Sequence, residues 1–416
     1  MSKKDFIVGL DIGTTKTCCL VAEVSDAGTP HPVIDIVGIG TAISTGLRKG
    51  VVINIDATVE SIRKAVDEAQ LMAGVKVSTV YAGIAGSHIQ SFNSSGVVAV
   101  KDKEIRSVDI QRVLDAAKAV AMPADREIIH VIPQEYLIDE QDGIRDPVGM
   151  NGVRLEARVH IVTAASSAVQ NIVKCANRAG LNVSEVCLEP IASGEAVLSA
   201  DEKELGVALI DIGGGTTDLA VFREGSVIHT AVLPIGGQHI TNDIAVGMRT
   251  PQSEAERLKI RSGCALAALV GDEDAIEVPG VGGRKSRSVP RKLLAEIIEP
   301  RMEEIFSLAQ KELMRSGFYD LLSAGIVVTG GTAQIEGITE LAERIFDIPA
   351  KRGAPLAMGG LFNGIRSPQF ATAAGLIFYG ASRISRGQKM ARLSGKDFVL
   401  YDRLSGTVRS WMKDLF

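Results

Sequence analysis

The apolar residues of the chain fall into short continuous runs joined by tight polar turns, and two of those runs repeat one phrase. Residues 7–22 read Ile-Val-Gly-Leu-Asp-Ile-Gly-Thr-Thr-Lys-Thr-Cys-Cys-Leu-Val-Ala, and residues 207–222 read Val-Ala-Leu-Ile-Asp-Ile-Gly-Gly-Gly-Thr-Thr-Asp-Leu-Ala-Val-Phe. Each is an apolar run, then Asp-Ile-Gly and Thr-Thr, then a second apolar run, which predicts a β-hairpin with a tight polar turn. Two copies about 200 residues apart predict two homologous domains with a cleft between them. Helical spacing of Val59, Ile62, Val66 and Ala69 predicts a helix capped by Asp56, running to Ala73 and ended by Gly74. Further helices are expected at 166–179, 253–268 and 291–316, and strands at 77–84 and 326–329. Residues 85–162 differ, with strands at 96–100, 128–138 and 153–162 and one helix at 108–121, and read as an inserted α+β subdomain. Residues 277–291 read as an exposed loop and 384–402 as a polar linker.

The 416 residues suffice for two domains or a few more subdomains. Hydrophobic residues are 46% and charged residues 23%, which excludes a disordered chain and allows large cores. Only 4% is aromatic while 43 residues are glycine, a balance favouring small-residue packing of helices on sheets. The net charge of −5 gives no sign of a basic stripe, so no nucleic-acid partner is expected. Cys18, Cys19, Cys175, Cys187 and Cys264 are scattered, lack zinc-finger spacing and read as buried thiols of a reducing compartment. The N-terminus shows no signal-peptide core, and no stretch of about 18 uncharged apolar residues is present to cross a bilayer.

The paired turns carry the chemistry. In Asp11-Ile12-Gly13-Thr14-Thr15-Lys16 and Asp211-Ile212-Gly213-Gly214-Gly215-Thr216-Thr217-Asp218, glycine lets backbone N–H groups approach an anion with no Cβ in the way. Thr14, Thr15, Thr216 and Thr217 add hydroxyl donors, and Lys16 offsets phosphate charge. Asp11 and Asp211 bring carboxylates towards the same phosphates, which is tolerable only with a cation between them; Mg²⁺, held largely through water, is implied. One copy alone would equally be a plain glycine-rich turn, whereas two matching copies argue for a shared anion.

The pair resembles the phosphate-1 and phosphate-2 motifs of the actin, Hsp70 and sugar-kinase superfamily. Leu188-Glu189-Pro190-Ile191-Ala192 resembles its first connecting segment, Gly325-Ile326-Val327-Val328-Thr329-Gly330-Gly331-Thr332 its adenosine motif, and Ala371-Thr372-Ala373-Ala374-Gly375-Leu376 its second connecting helix. All five stand in the superfamily's order across nearly the whole chain. The resemblance implies an α/β, actin-like fold of two related ribonuclease-H-like domains flanking a nucleotide cleft, with ATP and Mg²⁺ as ligands. It implies phosphate contacts from Gly13, Thr14, Thr15, Lys16, Gly213, Gly214, Gly215, Thr216 and Thr217, and close approach of the nucleoside at Gly330 and Gly331. Glu256 and Lys259 match the superfamily's ribose and adenine contacts; a surface ion pair is the plainer alternative. Glu189 falls where the superfamily positions the attacking water, beside Asp11 and Asp211. General base, orderer of a metal-bound water, and plain helix-start glutamate stay open for it.

Within the superfamily, Gly46-Leu47-Arg48-Lys49-Gly50-Val51-Val52, Val80-Tyr81-Ala82-Gly83-Ile84-Ala85-Gly86 and His130-Val131-Ile132-Pro133-Gln134-Glu135-Tyr136 resemble the bacterial cell-division family FtsA. That resemblance implies subdomain 1A at 1–84 and 163–193, an inserted 1C at 85–162, 2A at 194–245 and 318–383, and 2B at 246–317. It implies filaments of the chain with itself, a 2B surface for the C-terminal peptide of the tubulin-like FtsZ, and contacts of 1C with later division proteins. It further implies at most slow ATP turnover, at the division septum on the cytoplasmic face of the inner membrane. Arg284, Lys285, Arg287, Arg291 and Lys292, with Arg301 beyond them, form a basic cluster complementary to an acidic tail peptide; a solvated loop is the alternative. A small-molecule kinase would need a sugar pocket with an Asp base, for which no residue is assignable. A pilus-assembly homologue would share the insert and lack the ending described next.

At the C-terminus, Leu404, Val408, Trp411, Met412, Leu415 and Phe416 fall on one helical face, with Arg403, Arg409, Ser410 and Lys413 elsewhere. The chain's one Trp lies here, which fits a helix at 403–416 seated at the interface of an anionic lipid surface. A terminal helix docked on its own domain is the alternative; the polar linker and Gly406, which weakens a helix by about 1 kcal/mol, count against it. Partial burial of side chains that gain roughly 1.5–3 kcal/mol each when fully buried, against about 1 kcal/mol per ordered residue, leaves one copy weakly bound. Many copies in a polymer would bind firmly.

Overall fold

A computed structural model describes residues 5–25, 33–282, 284–356 and 358–385. Two sheets carry one topology. In the first, the strands run Asn182–Leu188, Thr79–Ile84, Asp5–Ile12, Lys16–Ser25, Val33–Ile43 and Gly359–Gly360. In the second they run Ala350–Arg352, Ile326–Thr329, Val207–Ile212, Thr217–Arg223 and Ser226–Leu233. In both, the central strand pairs antiparallel with its hairpin partner and parallel with the strand on its other side. The apolar runs that marked these strands are continuous because helices cover both faces.

On one face of the first sheet lie helices Ile55–Ala73 and Ser166–Arg178, burying Val8 and Leu10 against Ile62 and Ile172. The far face of the second sheet is covered by helices Gly237–Gly247, Arg291–Ser316 and Ile338–Phe346, around Ile210, Leu219, Ile298 and Ile338. Between the sheets run helices Glu189–Val197 and Ala371–Ser385. One core joins Ile7 and Leu20 of the first sheet, Ala192, Ala196 and Leu376 of these helices, and Leu209, Ala220 and Phe222 of the second sheet. Where the two helices cross, Gly375 lies on the Ala192 carbonyl with no room for a side chain. Helix Ala371–Ser385 is pinned to the first domain at its far end. There the Tyr379 hydroxyl donates to Glu185 Oε1 at 2.8 Å and Arg383 Nε to Oε2 at 3.1 Å.

The insert is a four-stranded antiparallel sheet ordered Gln90–Ala99, Arg154–Ala165, Arg126–Ile138, Gln141–Ile144. Helix Ser107–Lys118 packs on it, with Val113 and Ala117 buried against Leu155 and Val159. The insert also reaches the second domain. Ser91 Oγ donates to the Thr230 carbonyl at 2.7 Å, and His160 sits 3.0 Å from the Thr230 hydroxyl and 2.8 Å from Asn93 Oδ1. Burial pushes the His160 ring down to about 3, so these contacts are made by a neutral imidazole.

Several expectations need correction. The first long helix is capped by Asn54, whose Oδ1 accepts from Ala57 N at 3.1 Å; Asp56 stands inside the first turn and pairs with Arg178 at 2.6 Å. Residues 277–291 are not a plain loop: Ala275–Val278 and Arg287–Pro290 form a hairpin that buries Val278 and Val289. The helix expected at 253–268 is Gln252–Ser262, followed by a separate turn at Ala267–Leu269. Helix Ala371–Ser385, grouped with 2A on the sequence, packs against the first sheet. All five cysteines are buried free thiols. No described helix is long and apolar enough to cross a membrane. The predicted amphipathic helix at 403–416, and the linker beyond Ser385, lie outside the described residues.

Gly375→Val is expected to destabilise the fold by about 3 kcal/mol, because the crossing helices must separate to admit the side chain. Urea denaturation would show this as a lower midpoint at unchanged slope.

Candidate functional site

The turns of the two central hairpins meet face to face. Gly214 and Gly215 lie against Thr15 and Thr14, and a side chain at either glycine would strike the facing threonine. Around this contact opens a cleft of about 530 Å³. It gathers Asp11, Gly13, Thr14, Thr15 and Lys16 from one hairpin and Asp211, Gly213, Gly214, Gly215 and Thr216 from the other. Glu189, Glu256, Lys259, Gly330 and Gly331 complete the predicted set that the fold brings together. Gly330 has φ +90°, and a side chain there would run into Asp211 Oδ1, so the turn after strand Ile326–Thr329 needs glycine. The Thr332 hydroxyl ties this turn to the second hairpin, donating to the Gly213 carbonyl at 3.1 Å.

Thr217 does not join the site. Strand residues alternate faces, and Thr217 points into the core, where its fully buried hydroxyl donates to the Ile235 carbonyl at 2.9 Å. The register explains the mistaken match of the two Thr-Thr pairs. Ile12 pairs with Thr17 and Asp11 with Cys18, just as Ile212 pairs with Thr217 and Asp211 with Asp218. Thr17, rather than Thr14 or Thr15, is therefore the counterpart of Thr217.

That register also exposes a missed residue. Asp218 stands directly opposite Asp211 on the same face, and is buried with Oδ1 unpartnered and Oδ2 accepting from the Thr216 hydroxyl at 2.9 Å. The sequence held the signal in the final Asp of its second turn phrase. Four carboxyl groups thus share the cleft floor: Asp11, Asp211, Asp218 and Glu189. Burial raises all four. It lifts Asp11 to about 6, with Lys16 opposing and Asp211 adding, and Asp218 to about 8, with Asp211 and Asp11 adding. Glu189 is pushed well above the carboxylate range by burial and then by Asp11, Asp218 and Asp211. Asp211 is raised by burial, and held back by hydrogen bonds from Ser193 and Thr372 and by Lys16.

The nearest cation is committed elsewhere. The Lys16 ammonium donates to the Gln369 carbonyl and sits 4.4 Å from the centre of the Phe370 ring. Among the described residues no three acidic, His or Cys side chains converge closely enough to grip a bare metal ion. Asp11 and Asp211 could hold a hydrated divalent cation, whose waters would span the gaps and whose charge the acids lack. At the other end of the cleft, Lys259 Nζ donates to Glu256 Oε2 at 2.8 Å, to the Thr241 hydroxyl at 2.8 Å and to the Gly237 carbonyl at 3.1 Å. The ion pair and the cleft position therefore coexist. Ser193, Thr372, Gly50 and Gln369 border the acids and turns without having been foreseen. Thr372 stood inside a quoted connecting motif and Ser193 one residue past the other.

The basic cluster is only partly free. Arg301 pairs with Asp243 at 2.6 Å, Arg291 bonds the Ser262 carbonyl at 2.9 Å and pairs with Glu336, and Arg287 bonds the Met248 carbonyl at 2.6 Å. Arg284 and Lys285 stand exposed.

Comparison with known proteins places these features in a family context. Models described as "Cell division protein FtsA" and "SHS2 domain inserted in FTSA" match residues 208–375 and 86–163, and one for "Type IV pilus assembly protein PilM" matches 149–266. The chain is 54% identical to the cell division protein FtsA of Pseudomonas aeruginosa over 94% of this chain and 93% of that one. It is 42% identical to the FtsA of Escherichia coli K12 over 99% and 97%. Among solved structures, the PilM–PilN type IV pilus biogenesis complex aligns with TM-score 0.64 at 18% identity, covering 90% of this chain and 98% of that one. MreB5 of Spiroplasma citri bound to ADP aligns with TM-score 0.53 at 15% identity, covering 92% and 98%. The fold is actin-like: two related α/β domains around a cleft, with the insert in the first.

Because folding raises Asp11 and Asp218 from 3.8 to about 6 and about 8, the folded state binds more protons than the unfolded chain between these limits. The acids thus cost the protein stability as the pH rises from about 4 to about 8. Asp218→Asn is expected to remove the upper part of that loss, narrowing the gap between melting temperatures at pH 6 and pH 8 by several degrees. Differential scanning calorimetry in metal-free buffer would check it.

Proposed function

The chain belongs to the FtsA family of cell division proteins, and from that premise we propose that it binds ATP with Mg²⁺, polymerises, and fastens FtsZ to the cytoplasmic face of the inner membrane. The observation that carries the reading is the convergence of two equivalent hairpin turns on one cleft floored by four acids, three of them buried. Phosphates would lie between the turns, on the backbone N–H groups around Gly13 and Gly213 to Gly215, with Thr14, Thr15 and Thr216 hydroxyls beside them. Lys16 would leave the Gln369 carbonyl for a phosphate oxygen, a shift of one flexible side chain. Gly330 and Gly331 would give the nucleoside its backbone approach, with Glu256 and Lys259 at its ribose. Bound Mg²⁺ would supply the positive charge that the acids and phosphates share, held through water by Asp11 and Asp211, with Asp218 beside them.

Glu189 opens helix Glu189–Val197 and faces the same floor. Burial, and then Asp11, Asp218 and Asp211, push its carboxyl well above the usual range, which disfavours the charged form a general base needs. Bound Mg²⁺ would favour its charged form. This supports slow turnover, with ATP acting chiefly to close the cleft and favour assembly. The self-association expected of actin-like neighbours and the amphipathic residues Leu404, Val408, Trp411, Met412, Leu415 and Phe416 together support polymer-strengthened membrane attachment. Of the basic cluster, exposed Arg284 and Lys285 are the cations on offer to the FtsZ tail peptide, since Arg287, Arg291 and Arg301 hold the domain together. The insert is the surface assigned to later division proteins. A pilus-assembly role fits the insert but not the full-length relatives.

Two measurements test this. Isothermal calorimetry with Mg-ATP should show binding by the wild type and a loss of at least about tenfold in Asp11→Ala and Asp211→Ala; no binding by the wild type would remove the nucleotide reading, and equal affinities in all three would remove the role given to these acids. Co-sedimentation with anionic liposomes and FtsZ tail peptide should separate two further variants. Trp411→Glu should lose liposome binding, while Arg284→Glu should pellet normally and carry less peptide. Unchanged behaviour of either would reject that contact.

A further inference from the structure

Asp11 and Asp211 occupy equivalent places in the two hairpins, yet their surroundings differ. No side-chain hydroxyl reaches Asp11 among the described residues. Asp211 Oδ2 accepts from the Ser193 hydroxyl at 2.6 Å and is 3.4 Å from the Thr372 hydroxyl, and those two hydroxyls lie 3.0 Å apart. All three groups are buried. A serine in mid-helix ordinarily turns its hydroxyl back onto the preceding carbonyl or out to water. Ser193 does neither, and spends its donor on a carboxylate of another element.

The three residues come from three bodies. Asp211 belongs to the second domain's central strand. Thr372 opens helix Ala371–Ser385, whose far end Glu185 pins to the first domain through Tyr379 and Arg383. Ser193 lies on helix Glu189–Val197, one residue from the Ala192 carbonyl on which Gly375 is pressed. A change in the angle between the domains must turn one helix over the other at that contact. The hydroxyl pair sits beside it and moves with it.

We propose that Ser193 and Thr372 are positioning residues for Asp211: their paired hydroxyls, one from each helix between the domains, set the carboxylate towards the nucleotide's cation and couple its placement to domain angle. The proposal rests on the nucleotide reading above. Oδ2 is occupied by the hydroxyls, which leaves Oδ1, the oxygen nearest Gly330, to face the cleft. Asp11, without such partners, follows its own rigid hairpin. The second domain's acid is thus the one that reports closure.

The test uses the full-length chain and a non-hydrolysable ATP analogue. Affinity is measured by calorimetry in excess EDTA and across a Mg²⁺ titration, for wild type, Ser193→Ala, Thr372→Val and Thr372→Ser. Ser193→Ala and Thr372→Val are expected to raise the Mg²⁺ concentration for half-maximal enhancement about tenfold while leaving the metal-free affinity unchanged. Thr372→Ser, which keeps the hydroxyl, is expected to match the wild type. Mg²⁺ dependence unaltered in both deletions would overturn the proposal. So would an equal loss with and without metal, which would mean general damage, or Thr372→Ser behaving as Thr372→Val. A wild type that binds no analogue at all would instead sink the nucleotide reading, and this proposal with it.

Discussion

Four carboxyl groups are gathered on the floor of one cleft, three of them buried, and the rest of the molecule is arranged around their mutual repulsion. Isolated acids so placed would move apart or take up protons. They are kept together because each sits on an element with no freedom to yield. Asp11, Asp211 and Asp218 lie on central strands of two sheets covered on both faces, and Glu189 begins a helix buried between those sheets. The folded chain therefore stores an electrostatic debt that only positive charge discharges. Lys16, turned towards Gln369 and Phe370, offsets part of it. Under the proposed reading a multivalent cation would offset the remainder, so that ligand binding and tightening of the structure would be one event.

The duplication has been broken at one informative point. Register pairs Asp211 with Asp218 but Asp11 with Cys18. Burial pushes the Cys18 thiol up to about 12, so the first hairpin contributes a neutral group where the second contributes an acid. A fifth carboxyl would have deepened the repulsion without adding reach. The two halves are thus alike in backbone and unlike in charge: the first supplies Lys16 and one acid, the second two acids and a glycine-rich turn. The asymmetry continues in the hydroxyls that attend Asp211 alone.

Much of this was legible in the sequence, and the exceptions share a cause. The duplicated phrase revealed both hairpins, because a strand buried on two faces must be continuously apolar and its turn must be polar. Strand Ile326–Thr329 and helix Arg291–Ser316 fell within their expected bounds for the same reason. What failed was register. Matching Thr14-Thr15 to Thr216-Thr217 as letters misplaced Thr217 by one face, and left Asp218 unremarked although it lay inside the quoted motif. Only cross-strand pairing shows which residues share a side. Asn54 was passed over for Asp56 because both are good caps two residues apart, and the first apolar contact decides between them. Ser193 and Thr372 belong to segments 179 residues apart, so no local pattern could join them. The basic cluster misled in the opposite sense. Proximity along the chain suggested a free patch, while Asp243 and Glu336, distant in sequence, already occupied Arg301 and Arg291.

The insert's contact with the second domain bears on how the cleft can move. The chain already links its domains through the crossed helices at Gly375; Ser91 and His160 make a separate attachment at Thr230. A body fastened to another at two places, like a door on its post, can swing only about the line through both. Any opening of the cleft that keeps both attachments would then be confined to that one angle. Since the second fastening is made of uncharged hydrogen bonds, neither salt nor moderate acidity will loosen it.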